Sequence, residues 1–273
     1  METITMGKLK EIAKEFIPPI AVGMAKRILH TIEPNARDSP FKYLPNNINP
    51  EWIMDIGANE GHVTISAMNA FPNANIICFE PVKETFKTLQ INLDPYYREN
   101  LKRSLPRRII LRKVAISDFN GDAEINITTS NPANSLLDQN KCYAKYNPSV
   151  CETGKEKINV ITLDSYIPSL PTDCKRVDIV KIDVEGLERN VINGGTMFFK
   201  YYVDMIIIEM SFQRETNPDD PGYLEIFNTL NVLGFQLINI FDVDNLTYDN
   251  PNIIDDTMVT QMDCIFRKRG GSK

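Results

Sequence analysis

Beyond Pro50, short apolar runs alternate with longer amphipathic stretches, and this alternation constrains the fold more than any other feature of the chain. Residues 52–55 and 75–80 read as strands, each followed by a helix-like stretch, at 63–70 and 82–93. Further strands are expected at 109–116, at 123–128 along a sheet edge, from 160, at 178–183 and at 205–209. Helices are expected from Glu188, stopped by Gly194-Gly195, and over 223–233. The runs at 235–241 and 261–267 look like a closing hairpin with a long excursion between them. Strands that alternate with helices predict an α/β domain with a mostly parallel sheet covered on both faces.

At 273 residues the chain fits one such domain, expected over 49–273, with an addition at its N-terminal end. Residues 1–48 read as a helical extension followed by a linker rich in Pro and Asn. Within it Lys8, Lys10, Lys14, Lys26 and Arg27 are interleaved with apolar residues, a pattern suited to peripheral contact with an anionic membrane. The same stripe would also serve to pack on the main domain, or on a second copy in a homodimer. A net charge of −6 argues against a nucleic-acid partner held by bulk electrostatics. The five cysteines form no CxxC pair and only His30 and His62 accompany them, so a zinc site is not expected. Reduced thiols in a cytoplasmic protein are expected instead. No stretch is apolar and long enough to span a bilayer, and no secretory signal is expected.

The chemistry concentrates at strand ends. Asp55-Ile56-Gly57-Ala58-Asn59-Glu60-Gly61 closes the first strand and opens a helix. Its glycines permit positive φ and close backbone approach, and the helix start offers free amides. The spacing is G-x-x-x-G, whereas a dinucleotide turn needs G-x-G-x-x-G. It suits a nucleoside that carries an amino acid, with Asp55 near the ammonium and the backbone from Gly57 through Ala58 and Asn59 to Gly61 against the methionine moiety. Phe79-Glu80-Pro81 ends the second strand, where Glu80 can accept both hydroxyls of a ribose and Pro81 sets up the next helix. Ser117 and Asp118 end the third strand, either at the amino edge of an adenine or as an ordinary turn before Asn120-Gly121.

Asp178-Ile179-Val180-Lys181-Ile182-Asp183-Val184-Glu185-Gly186-Leu187-Glu188 is the most distinctive segment. Period-two alternation would set Lys181, Asp183 and Glu185 on one side of an extended segment. Such groups are costly in a buried strand unless paired or functional. With this segment the sequence resembles the FkbM-type methyltransferases. The resemblance rests on Asp55-Ile56-Gly57-Ala58-Asn59-x-Gly61, Phe79-Glu80-Pro81, Ala115-x-Ser117-Asp118, Asn134-Ser135-Leu136 and Thr162-Leu163-Asp164. It also rests on Lys181-Ile182-Asp183-Val184-Glu185-Gly186-x-Glu188 and Ile208-Glu209, and it covers roughly residues 50–212. It implies a class I methyltransferase fold, Rossmann-like, with a seven-stranded, mostly parallel sheet and a C-terminal antiparallel hairpin. It further implies S-adenosylmethionine as cofactor and O-methylation of a hydroxyl on a sugar, glycoconjugate or natural product, a small-molecule or glycan acceptor.

The role of the acidic strand end stays open at this stage. Asp183 is the preferred general base for the hydroxyl proton, with Lys181 and Glu185 tuning or orienting it. A second model gathers Asp183, Glu185 and Glu209 around a divalent cation, magnesium or calcium before zinc. A third makes Lys181 and the carboxylates a structural pair. His62 is a further candidate base. The stretch 129–157, with Asn131, Asn134, Ser135, Tyr143 and Tyr146, reads as a substrate loop or as a plain surface insertion. Competing functions are a methyltransferase acting on nucleic acid or protein, a non-catalytic protein of the same fold, and a dinucleotide dehydrogenase. The first lacks its Asn/Asp-Pro-Pro-aromatic turn here, and the last lacks its loop spacing.

Overall fold

A computed structural model describes residues 39–103, 107–129, 152–211, 222–247 and 257–270. Residues 1–38 of the expected extension and most of the 129–157 loop lie outside the described residues. After a 3-10 turn at Pro40–Tyr43 the elements are β1 (Trp52–Ile56), α1 (His62–Ala70), β2 (Asn75–Phe79), α2 (Lys83–Arg103), β3 (Ile109–Arg112) and β4 (Ala115–Ile116). There follow β5 (Gly121–Thr128), β6 (Glu152–Ile161), α3 (Leu163–Tyr166), β7 (Val177–Ile182), α4 (Glu188–Asn193) and α5 (Thr196–Tyr202). The chain continues through β8 (Val203–Ser211), α6 (Gly222–Val232), β9 (Phe235–Thr247) and β10 (Thr257–Lys268).

Among the described residues seven strands form the main sheet, in the order β3-β2-β1-β7-β8-β10-β9. The five from β3 to β8 are parallel, and β10 runs antiparallel to both β8 and β9, as the closing hairpin predicted. This is the seven-stranded, mostly parallel sheet with a closing antiparallel hairpin that the sequence predicts. Strand β1 lies at the centre and is buried on both faces, which is why it reads as a continuous apolar run. Its side chains alternate. Trp52, Met54 and Ile56 join the core under α3 to α6, while Ile53 joins the core under α1, α2 and the 3-10 turn. Asp55 shares the second face, and in the parallel register it sits beside Lys181 of β7.

Four departures from the sequence reading have physical causes. The run expected as one strand over 109–116 divides: β3 pairs with β2, whereas β4 leaves the main sheet to pair with β6. Strand β5, expected along a sheet edge, is an edge strand, but of a separate three-stranded sheet of order β4-β6-β5. Its partner β6 begins at Glu152, well before the expected position, because its first residues are polar and exposed and carry no apolar signal. Helix α2 runs past Pro95, where a sequence reading stops it. Contacts on both sides of the proline carry it: Leu89 and Leu93 are buried, and beyond it the Tyr97 hydroxyl donates to the Ile109 carbonyl at 2.9 Å. No helix among the described residues is long and apolar enough to cross a membrane.

The start of β1 is fixed by one buried carboxylate. Asp178 Oδ2 accepts the amides of Glu51 at 2.8 Å and Trp52 at 3.0 Å, while Oδ1 takes the Arg176 guanidinium at 2.6 Å. Asp178→Ala leaves those two amides without acceptors and is expected to lower the unfolding free energy by roughly 2–3 kcal/mol. Urea denaturation measures this, and an unchanged midpoint would show that β1 is placed without the clamp.

Candidate functional site

From β1 the chain proceeds outward through β2 to β3, whereas β7 and β8 extend the sheet in the other direction. The order therefore reverses between β1 and β7. In open α/β sheets the ligand crevice lies outside the carboxyl ends of the strands at such a point. A cavity of about 210 Å³ opens there. Of the residues singled out in the sequence, Gly57, Ala58, Asn59, His62, Glu80, Pro81, Lys181, Asp183 and Glu185 line it.

Lys181 organises the crevice floor. Its ammonium lies 3.1 Å from Asp183 Oδ2 and 3.5 Å from Asp55 Oδ1, and donates to the Gly57 carbonyl at 3.1 Å. Burial penalises this charge, but Asp183 and Asp55 outweigh the penalty and hold the ammonium pKa above the ordinary lysine range. Asp55 accepts the Thr64 hydroxyl at 2.5 Å through its other oxygen and lies behind the cavity wall. Asp55, expected beside a ligand ammonium, has its carboxylate turned toward α1 and Lys181, following the strand's alternation. Gly57, at φ 80°, is required by the same junction, since a Cβ there would collide with the Asp183 backbone carbonyl. Gly61 stands outside the cavity too; at φ 92° it caps α1 and gives Leu89 of α2 room to pack.

Glu80 is buried at the end of β2 and faces the cavity. One carboxylate oxygen accepts the Asn59 amide at 3.0 Å and the other the Val82 amide at 2.9 Å. Burial pushes its pKa up to about 7, against the lowering effect of those two amides. Asn59 adds a buried side-chain oxygen that has no hydrogen-bond partner among the described residues. The remaining walls are apolar, from Val82, Val114, Ala115, Ile116, Ile125 and Leu187.

Asp183 follows β7 directly, its amide bonded to the Ile56 carbonyl and its carboxylate half-buried in the cavity. Glu185 lines the cavity without extending the strand. The chain turns after Asp183, with φ 55° at Glu185 and 96° at Gly186, so the expected period-two alignment ends at Asp183. Glu188 holds this turn: it is buried at the start of α4 and accepts the amides of Val184 at 3.0 Å and Gly186 at 3.2 Å. Glu209 pairs in register with Asp263 of β10 and lies outside the cavity. Burial, then the charges of Asp183, Glu188, Glu185 and Asp263, raise its pKa far above the ordinary carboxylate range. Asp183, Glu185 and Glu209 do not converge into a ligand set: among the described residues no group of three or more acidic, His or Cys side chains is arranged to hold a metal.

Ser117 and Asp118 do not line the cavity. Ser117 is buried and donates to Asp118, whose other oxygen accepts the Asn190 amide group of α4 at 3.0 Å. A Cβ at Gly194 would strike the Ser117 carbonyl, so this turn is fitted against α4 and serves packing. Val114, Ala115 and Ile116, just before them in the chain, line the cavity. Thr64, Glu188 and Ile125 were given no role in the sequence reading. Only Glu188 had a visible signal there, as the last member of the acidic motif.

Lys181→Met leaves Asp55 buried without its counter-charge and is expected to cost about 3–5 kcal/mol of stability at neutral pH. Asp55→Asn in the Lys181→Met background should recover part of it. Strictly additive losses in chemical denaturation would contradict the pairing.

Comparison with known proteins adds three findings. The methyltransferase FkbM domain model matches residues 55–237. Among curated proteins, Methyltransferase 1 of Beauveria bassiana is 25% identical over 171 residues, covering 58% of this chain and 64% of that protein. The 2-O-methyltransferase NoeI of Sinorhizobium fredii is 26% identical over 149 residues, covering 52% of this chain and 56% of that one. The chain spans about three-fifths of the length of the curated relatives it matches. Among solved structures, a methyltransferase FkbM from Methylobacillus flagellatus aligns over 85% of this chain and 48% of its own, with 16% identity and a TM-score of 0.48.

Proposed function

The chain belongs to the methyltransferase FkbM family, and from that premise we propose that it transfers a methyl group from S-adenosylmethionine to a hydroxyl of a sugar, glycoconjugate or natural product. The observation that carries this reading is Glu80, a buried carboxylate fixed by two backbone amides and facing a cavity at the sheet's switch point. The residues present fit the cofactor. Glu80 keeps lone pairs for the two ribose hydroxyls, the buried Asn59 oxygen offers an acceptor for an ammonium or amine, and Gly57 lets the backbone approach. The apolar wall of Val82, Val114, Ile116 and Ile125 suits a nucleobase face. When bound, S-adenosylmethionine supplies an electrophilic methyl group on a sulfonium.

The chain's own contribution is to hold the acceptor and remove its proton. Asp183 is the proposed general base, since its carboxylate lines the cavity and is aimed by the Lys181 ammonium. Lys181, held in turn by Asp55 and the Gly57 carbonyl, links the base to the cofactor loop. Glu185 stands at the cavity on the turn that Glu188 fixes, in a position to meet the acceptor. A relative that bears the name 2-O-methyltransferase supports a hydroxyl acceptor. The acidic balance weighs against a nucleic-acid acceptor, and the unpaired thiols of Cys78, Cys174 and Cys264 accord with a cytoplasmic setting.

Incubation with methyl-labelled S-adenosylmethionine and a panel of hydroxylated sugars and natural products tests the proposal. A labelled methyl ether is expected, and label found only on amines of protein or RNA would overturn it. Glu80→Ala is expected to weaken cofactor binding by roughly 1.5–3 kcal/mol in isothermal titration. Cofactor affinity should also depend on pH with a known sign. Ionised Glu80 accepts both hydroxyls and its neutral form has lost an acceptor, so affinity is full above pH 7 and falls as pH drops through about 7. Glu80→Gln removes that dependence. Asp183→Asn is expected to abolish turnover with cofactor affinity nearly intact, and surviving activity would put the base elsewhere.

A further inference from the structure

The three-stranded sheet forms one wall of the cavity through Ile125 of β5. Ile125 packs with Ala115, Ile158 and Val160 into a small buried cluster, and the one member from outside that sheet is Val82, the residue just before α2. A polar contact reinforces this junction. Glu156 of β6 sits opposite Ile125 in the β5–β6 register, and both of its carboxylate oxygens accept the Lys83 amide, at 3.0 and 3.3 Å. Lys83 is the first residue of the 21-residue helix α2, whose exposed amides and dipole favour a carboxylate there.

The preceding amide, that of Val82, is the one bonded to Glu80. Two consecutive amides therefore end on two carboxylates, one facing the cavity and one belonging to the small sheet. We propose that Glu156 is a positioning residue for the cofactor: by gripping the start of α2 it fixes the Glu80 carboxylate and holds the Ile125 wall against the nucleoside end of the cavity. This rests on the reading of Glu80 as the ribose acceptor. Glu156 touches neither cofactor nor acceptor; it acts through the Val82–Lys83 peptide.

The test is isothermal titration of the full chain with S-adenosylhomocysteine. Glu156→Ala is expected to weaken binding about fivefold, the effect of losing one helix cap. Glu156→Gln keeps an acceptor oxygen at the same reach and should recover most of the affinity. In a Glu80→Ala background Glu156→Ala should cost much less, because the group it positions is gone. Wild-type affinity in Glu156→Ala, or the same loss with and without Glu80, would overturn the proposal. A wild-type chain that does not bind S-adenosylhomocysteine would instead overturn the proposed function.

Discussion

A single buried ammonium ties the site to the fold. Lys181 stands beside Asp55 because β1 and β7 are parallel neighbours in register, and it reaches Asp183 because that residue follows on the same face. Removing this charge from water is costly, and two carboxylates and a carbonyl offset the cost only in one geometry. That geometry requires the Gly57 carbonyl to point down at Lys181 and the β7 backbone to pass where a Cβ of residue 57 would be. The loop after β1 and the acidic strand end are therefore one construction. A change in either displaces the other.

Much of this was legible in the sequence because it depends on local pattern. Period-two alternation put Lys181 and Asp183 on one side, and Glu80, the carboxylate read at the tip of the second strand, lines the cavity. What local pattern cannot show is which way a strand face points once helices cover it. Asp55 is a strand-end carboxylate like Glu80, yet it faces Thr64 under α1, because the face it shares with Ile53 is the one that α1 covers. Ser117 and Asp118 follow β4 of the small sheet, where Asp118 accepts from Asn190 and the Ser117 carbonyl packs against Gly194. The period-two argument also ran too far at Glu185, since positive φ there and at Gly186 depends on a bond from Glu188.

The small sheet was the least legible part. Its strand β6 begins with exposed polar residues that resemble a loop, and β4 is only two residues long. Its place is set by long-range contacts: the apolar cluster around Val82 and the Glu156 bond to α2. Only the three-dimensional pairing shows that this sheet supplies a wall of the same cavity whose floor is Lys181. The small sheet and the β7–α4 turn thereby both line the cavity.

The most direct measurement is a crystal structure of the chain with S-adenosylhomocysteine bound. The expected result has both ribose hydroxyls within hydrogen-bond distance of Glu80, with Lys181 still bridging Asp55 and Asp183. A nucleoside bound away from Glu80, or an Asp55 carboxylate turned out of the strand face to meet the ligand's ammonium, would contradict it.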